Sequence, residues 1–332
     1  MTNKGRADLS DGVENMTFVK SRTRVSPVWP GLALSICLIL IAQPARAARV
    51  QSPNTQEPPG VFVSVEWLVE HVEDSLLVVI HVGTTTAETS GEFIPGARFL
   101  NFQEIVRVRD GLIVEMPTVD QLLEPLETAG VSDEAVVILY GSPAHLPARA
   151  YVTLDYLGLA DRVAVLDGGL EAWKSAGLPL AETPAQGPRG LLTPRVRNDV
   201  LVSADWVEER LDNPFMTLID SRPEGEYTGR VPVRVGARAG HIPGARNVYW
   251  EDLLVAPENP VLRDLQDVRS RFQDPGADSN AIVVNYCWVG MRASYTYLVA
   301  KHLGYATRLY DGSWNEWNRD DSLPAVTGSF PR

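Results

Sequence analysis

The chain has 332 residues, room for about two domains of ordinary size. Its apolar fraction of 45% suffices for a buried core, and its formal charge of −12 excludes the basic surface that a nucleic-acid partner requires. The first 47 residues read as an export leader and not as part of the fold. Lys20, Arg22 and Arg24 form its basic segment, Gly31–Ala42 (GLALSICLILIA) its apolar segment, and Ala45–Ala47 an A-x-A cleavage site. The apolar segment is shorter than the ~20 residues of a transmembrane helix; an uncleaved anchor is the alternative. The distance from Met1 to the basic cluster makes Met16 a candidate start. Cleavage after Ala47 implies a periplasmic or secreted protein with no stable membrane association. It also removes Cys37 and leaves one cysteine, Cys287. Such a residue is an intermolecular linker, a free reactive thiol or a buried inert side chain. Residues 48–60, with EPPG, read as a disordered lead-in.

From there the chain repeats itself. VSVEWLVEHV from Val63 answers VSADWVEERL from Val202; Ser64 and Ser203 are predicted helix N-caps, with Trp67 and Trp206 on the inner helix face. The apolar strand ending at His81 answers the one ending at Asp220, and FIPGAR at Phe93 answers HIPGAR at His241. AVVILYG from Ala135 answers AIVVNYC from Ala281, and LDGGLEAW from Leu166 answers YDGSWNEW from Tyr310. The offset is 139 at the first helix, 148 at the IPGA turn, 146 at the cysteine strand and 144 at the DG turn, so length changes fall in loops. Short apolar strands alternating with helical stretches predict α/β architecture, with a parallel sheet flanked by helices in each copy. The first domain is placed at 61–183 and the second at 201–329. The Pro- and Gly-rich residues 184–200 between them read as a linker.

The copies are chemically unequal. Cys287 aligns with Gly141, Asp220 with His81, Arg222 with Gly83, and Arg292 with Leu146, which is followed by a helix-hostile Pro147. The second copy also carries TGRVPVRVGARAG after Tyr227, whose Arg230, Arg234 and Arg238 mark either a solvated loop or an anion-attracting lid. One chemical site, in the second domain, is the direct reading. In CWVGMR, Cys287–Arg292, a buried strand ends at Tyr286 and a helix is predicted to begin near Arg292 or Ala293. Trp288, Val289, Gly290 and Met291 would then supply inward N–H groups at a helix N-terminus, an anion nest that favours a thiolate at Cys287. Gly290 lets the backbone bend, and Arg292 would hold an anionic substrate group or the thiolate itself. Arg222 leaves the same sheet edge and is expected as an anion ligand. Asp220 would orient Arg222 or the loop, or cap a turn; His241 is a site-facing base or a turn-packing residue. The recurring Trp173 and Trp317 read as core. The five histidines show no metal-ligand spacing.

LIDSRPEGEYTG (Leu218–Gly229), GHIPGARNV (Gly240–Val248), CWVGMRAS (Cys287–Ser294) and LYDGSWNEW (Leu309–Trp317) together resemble a catalytic rhodanese domain. From about Val61 to Pro324 the chain resembles the tandem-domain thiosulfate/3-mercaptopyruvate sulfurtransferases. The resemblance implies an inactive first domain and a catalytic second one. It implies a Cys287 persulfide, a small-molecule donor such as thiosulfate and a thiol or cyanide acceptor, with no metal or organic cofactor. Relatives that dephosphorylate or reduce oxyanions have seven residues from Cys through Arg; the six here are similar to the sulfur-transferring type. Trp288 departs from the thiosulfate pattern, which has a basic residue after the cysteine. Glu226 stands where relatives often carry a second arginine. The mercaptopyruvate loop, Cys-Gly-Ser/Thr-Gly-Val-Thr, fits less well. Thiosulfate is the expected donor on the strength of Arg292, with 3-mercaptopyruvate or a non-catalytic sulfur carrier as alternatives.

Overall fold

Each repeat begins with an extended Ser whose hydroxyl accepts the N–H of a Trp three residues on, 3.3 Å at Ser64 and 3.2 Å at Ser203. These N-caps satisfy one of the orphan donors of the following helix. The computed structural model describes residues 57–85, 91–272 and 281–331. The expected leader and residues 48–56 of the lead-in lie outside them. Both repeats belong to one unit, Gln51–Arg332, and no described helix is long and apolar enough to cross a membrane.

The first repeat runs β1 (Phe62–Val63), α1 (Val65–His71), β2 (Leu77–Gly83), β3 (Arg98–Asn101), β4 (Arg107–Arg109), β5 (Leu112–Glu115), α2 (Val119–Thr128), β6 (Val136–Tyr140), α3 (His145–Tyr156), β7 (Val163–Leu166) and α4 (Gly169–Ser175). The second runs β8 (Leu201–Val202), α5 (Ala204–Glu208), β9 (Met216–Asp220), α6 (Glu224–Tyr227), β10 (Arg246–Asn247), β11 (Leu254–Ala256), β12 (Asn259–Leu262), α7 (Leu265–Phe272), β13 (Ile282–Tyr286), α8 (Met291–His302), β14 (Thr307–Tyr310) and α9 (Ser313–Trp317). The main sheets have the same order, β1-β7-β6-β2-β3 and β8-β14-β13-β9-β10, with every pair parallel. The duplication read from the residues is therefore a duplication of topology. The central strands, β6 and β13, are apolar runs because helices cover both faces. Each repeat also extends an antiparallel arm, β4–β5 or β11–β12.

Several local expectations change. The buried positions are Val65 and Leu68 on α1 and Val207 on α5, while Trp67 and Trp206 are partly buried and pack against the core, Trp67 stacked on His71 and Trp206 beneath Arg210 and Arg308. Pro147 does not break its helix. It is the third residue of α3, where its missing N–H has no intrahelical acceptor to lose. Residues 184–200 contain no helix or strand, yet they are fastened to the first repeat. Glu127 accepts from Arg189 at 2.7 Å and from the Leu192 N–H at 3.0 Å, and the Arg195 and Arg197 N–H groups reach the Leu157 and Tyr156 carbonyls at 2.9 Å. Trp173 and Trp317 are buried, each donating its indole N–H to a backbone carbonyl, Pro179 or Pro324, at 2.8 Å.

His81, the counterpart of Asp220, is buried among Phe93, Phe99 and Tyr140, with Nδ1 unpartnered. Burial pushes its pKa from 6.5 down to about 4. The unfolded chain therefore takes up this proton first as pH falls. The stabilising contribution is complete above the unfolded pKa and is lost as pH falls through the folded one. Urea unfolding at pH 7.5 and 4.5 is expected to show an acid loss about 2–3 kcal/mol larger in the wild type than in His81→Phe. Equal losses in the two proteins would refute this assignment.

Candidate active site

Parallel sheets place ligands beyond the carboxyl ends of their strands. The register pairs Tyr286, the last residue of β13, with Asp220, the last of β9. The Cys287 loop and Ser221–Arg222 thus leave the same edge, from the centre of the sheet. The equivalence with the first repeat is visible here: the Tyr286 hydroxyl accepts the Ile242 N–H at 3.2 Å, as the Tyr140 hydroxyl accepts the Ile94 N–H at 3.1 Å.

The loop is short and braced. The Cys287 N–H donates to Ser313 Oγ at 3.2 Å, and Ser313 Oγ donates to the Tyr310 carbonyl at 2.8 Å. The Cys287 and Trp288 carbonyls accept the N–H groups of Trp314 and Asn315 at 3.0 and 2.9 Å. The start of α9 thereby turns these carbonyls away from the loop interior. Gly290 caps α8 with φ +76°, a left-handed conformation, and a Cβ there would lie 2.8 Å from Asp311 Oδ1. Both its φ and its surroundings demand glycine. α8 begins at Met291, a residue or two earlier than the sequence suggests, and its cap makes no side-chain hydrogen bond. First-turn N–H groups of an α-helix lack intrahelical partners, so the helix end offers donors and partial positive charge to an anion.

Cys287 has 0% exposure, whereas Trp288, Val289, Met291 and Arg292 around it are partly exposed. Its burial matches the inert-residue alternative in one respect, but its position on the loop and beside Arg292 does not. The Arg292 guanidinium donates to both Glu226 oxygens, at 3.1 and 2.9 Å. Burial lowers the Arg292 pKa, but Glu226 and the charge of Cys287 outweigh it, so the net shift is upward. Arg292 is thus a cation held in place by α6 and electrostatically coupled to the cysteine.

Arg222 is held at its own strand end. It is buried, with Nε donating to Asp220 at 2.9 and 3.0 Å and Nη2 donating to Asp220 at 2.6 Å and to the Gly240 carbonyl at 2.8 Å. Its guanidinium carbon lies 5.0 Å from the Trp314 ring centroid. Burial works against its charge, and Asp220 more than restores it, so its pKa is raised. The carboxylate two residues upstream holds one edge of the guanidinium, while Nη1 is buried without a partner. Asp220 therefore orients Arg222, one of the roles open to it. His241 packs in its turn, one of the two roles open to it: it stacks on Tyr227 with centroids 3.7 Å apart, its Nδ1 is 2.9 Å from the Tyr227 carbonyl, and burial lowers its pKa. In the insertion, Arg230 pairs with Glu224 at 2.9 Å and Arg238 donates to the Leu323 carbonyl at 2.9 Å, leaving Arg234 exposed.

The first repeat's corresponding loop is closed. A Cβ on Gly141 would lie 2.2 Å from the Val82 carbonyl oxygen, so a cysteine does not fit without moving the backbone. Yet this repeat reaches the site. His145 of α3 packs edge-on against Trp250, with centroids 5.1 Å apart. Burial first, then the Arg292 charge, push its pKa down to about 4, so it is neutral at pH 7. The sequence gives no signal for this packing, because nothing local links His145 to Trp250.

A family model described as "Rhodanese-like domain" matches residues 64–176 and 203–320. "Sulfur carrier protein TtuD" of Thermus thermophilus is 30% identical over 287 residues, covering 81% of this chain and 98% of that protein. "Probable 3-mercaptopyruvate sulfurtransferase" of Pseudomonas aeruginosa is 32% identical over 247 residues, 71% of this chain and 84% of that one. "Putative thiosulfate sulfurtransferase 1" of Mycobacterium bovis is 29% identical, covering 81% and 98%. Among solved structures, the 3-mercaptopyruvate sulfotransferase SseA of Escherichia coli superposes with a TM-score of 0.67 at 25% identity, over 77% of this chain and 99% of that one. With both repeats matched and the strand order repeated, the chain belongs to the rhodanese-like family as a tandem of two such domains, among the thiosulfate/3-mercaptopyruvate sulfurtransferases.

Proposed function

We propose that this protein moves a sulfane sulfur from thiosulfate to a thiol or cyanide through a persulfide on Cys287. The observation that carries the reading is the placement of Cys287 at the carboxyl end of the central strand, in a six-residue turn that opens a 12-residue helix and ends on Arg292. The Cys287 thiolate attacks the outer sulfur of thiosulfate. The sulfur–sulfur bond of the donor breaks, and sulfite leaves with its electron pair. The outer sulfur stays on Cys287 as a persulfide, whose terminal sulfur carries the negative charge toward the helix N-terminus. The acceptor then attacks that terminal sulfur, and the thiolate is restored. This is two-step nucleophilic catalysis, and its kinetics are ping-pong. The burial of Cys287 restricts the donor to a slender molecule and keeps bulk water from the persulfide. The leader expected at 1–47 would place the reaction outside the cytoplasm.

One observation favours the alternative donor. Glu226 offsets the charge of Arg292, which makes the site less suited to a dianion and closer to what the monoanion 3-mercaptopyruvate needs. Steady-state kinetics with the two donors, and the protein mass after donor alone, decide between them. Thiosulfate is expected to give the higher kcat/KM and a one-sulfur mass gain. A higher value with 3-mercaptopyruvate would reassign the donor. A mass gain with negligible turnover would reassign the protein as a sulfur carrier, the role named for the Thermus relative.

A further inference from the structure

The two domains meet through α3 and α8, and each sends its antiparallel arm to the other's Asp-Gly turn. The Met116 N–H, after β5, donates to Asp311 Oδ2 at 2.7 Å; the Leu262 N–H, on β12, donates to Asp167 Oδ1 at 2.8 Å. The two halves of this junction differ where they meet the Asp. On the side of the cysteine-free loop the neighbour is Tyr295, buried with its hydroxyl unpartnered. On the side of the Cys287 loop the corresponding residue, 146 positions earlier, is Arg149.

Arg149 is fully buried. Its Nη1 pairs with Asp311 Oδ1, and its Nη2 donates to Asp311 Oδ2 at 3.1 Å and to the Val114 carbonyl at 2.9 Å. The pair lies directly on the cysteine loop. A Cβ built on Gly290 would be 2.8 Å from Asp311 Oδ1, 3.0 Å from the Asp311 carbonyl oxygen and 3.3 Å from Arg149 Nη1. Asp311 is also two residues before Ser313, which accepts the Cys287 N–H. The carboxylate therefore touches the loop at Gly290 and stands in the turn that anchors it at Cys287. Its orientation is set by a guanidinium from the other domain.

We infer that Arg149, supplied by the domain that has lost the cysteine, is a positioning residue for the Cys287 loop: by fixing Asp311 against Gly290 it holds the turn that leads from Cys287 into α8. This role rests on Cys287 being the sulfur-accepting thiol, and it gives the silent domain a reason to remain attached.

The test compares Arg149→Met with Lys301→Met. Lys301 sits at the far end of α8, about 15 Å along the helix from Met291, and pairs with Asp155 of the first domain, so its loss weakens the domain contact without touching the loop. Two readouts are taken on folded protein, checked by circular dichroism and thermal melting. They are the kcat and KM for thiosulfate, and the rate of Cys287 alkylation by iodoacetamide at neutral pH. Arg149→Met is expected to lower kcat about tenfold or more with KM within about threefold, because the loop is misplaced and not unoccupied. Its alkylation rate is expected to change at least about threefold. Lys301→Met is expected to leave both near wild type. Millimolar guanidinium is expected to restore part of kcat to Arg149→Ala. Should Arg149→Met fail to fold, Asp311→Asn keeps the Met116 contact, removes the charge pair and reads the same link. The inference is overturned if Arg149→Met, or Asp311→Asn in its place, keeps the wild-type kcat and alkylation rate. It is equally overturned if Lys301→Met shifts both as far. If the wild type transfers no sulfur from either donor, the sulfurtransferase reading fails, while the alkylation rates still decide whether Arg149 sets the loop.

Discussion

Cys287→Ser is expected to reduce sulfur transfer by about a thousandfold or more, at least ~4 kcal/mol of barrier. The substitution changes one atom. Serine keeps the size that a buried position requires, and the Cys287 N–H can still reach Ser313 Oγ, so the loop has no steric reason to rearrange. What is lost is the thiolate. A serine hydroxyl is not ionised near neutrality and does not form a perthiol, so neither half of the two-step reaction has its intermediate. The mass gain after thiosulfate without acceptor should vanish with the turnover. No other cysteine follows the expected leader, so no second thiol can take over. Residual turnover within tenfold of wild type, in protein of unchanged melting temperature, would place the chemistry elsewhere.

The features legible in the sequence are those that local pattern controls. The strand end at Tyr286 follows from an apolar run bounded by loop residues. The turn at Gly290 follows from a glycine where the chain must bend. Because the halves repeat, each element could be read twice, and the sheet order confirms the pairing of the copies. Contacts between distant residues could not be read this way. Glu226 was legible as a departure from relatives, but only as a missing positive charge. That it grips Arg292 depends on α6 and α8 being brought together across 66 positions. Arg149 and Asp311 are 162 positions apart, and neither has any local signature of a partner. The pair at Arg222 has a different origin. Its partner Asp220 is only two residues away, and an acid and a base flanking a strand end were signal enough for a self-contained pair. The expectation that Asp220 orients Arg222 comes from that signal. Pro147 shows the same lesson for backbone: a residue hostile to helix interiors is harmless in the first turn.

Arg292→Leu is expected to lower kcat/KM for thiosulfate by roughly tenfold to a hundredfold, the ~1.5–3 kcal/mol of a charge-assisted hydrogen bond. The pair with Glu226 sharpens that expectation. A guanidinium has about five N–H donors, and Glu226 takes one from each terminal nitrogen, so donors remain for a substrate oxygen. The two side chains are 21% and 18% exposed, so their charges are only partly screened by water. Arg292→Leu therefore acts twice: it removes the cation proposed to hold the substrate and leaves Glu226 as an unpaired anion toward an incoming dianion. Both effects weigh more on thiosulfate than on singly charged 3-mercaptopyruvate, so the loss should be larger for thiosulfate. Glu226→Gln removes the opposing charge while keeping a hydrogen-bond acceptor for Arg292. It is expected to lower the thiosulfate KM about three- to tenfold, with a smaller change for 3-mercaptopyruvate. The opposite result has a definite meaning. If Glu226→Gln raises the thiosulfate KM, the carboxylate serves mainly to aim the guanidinium, and geometry outweighs net charge. If Arg292→Leu costs the two donors the same factor, the arginine does not discriminate between them. Selection would then fall to the size and shape of the loop, in which Trp288, Val289 and Met291 are partly exposed around the buried Cys287.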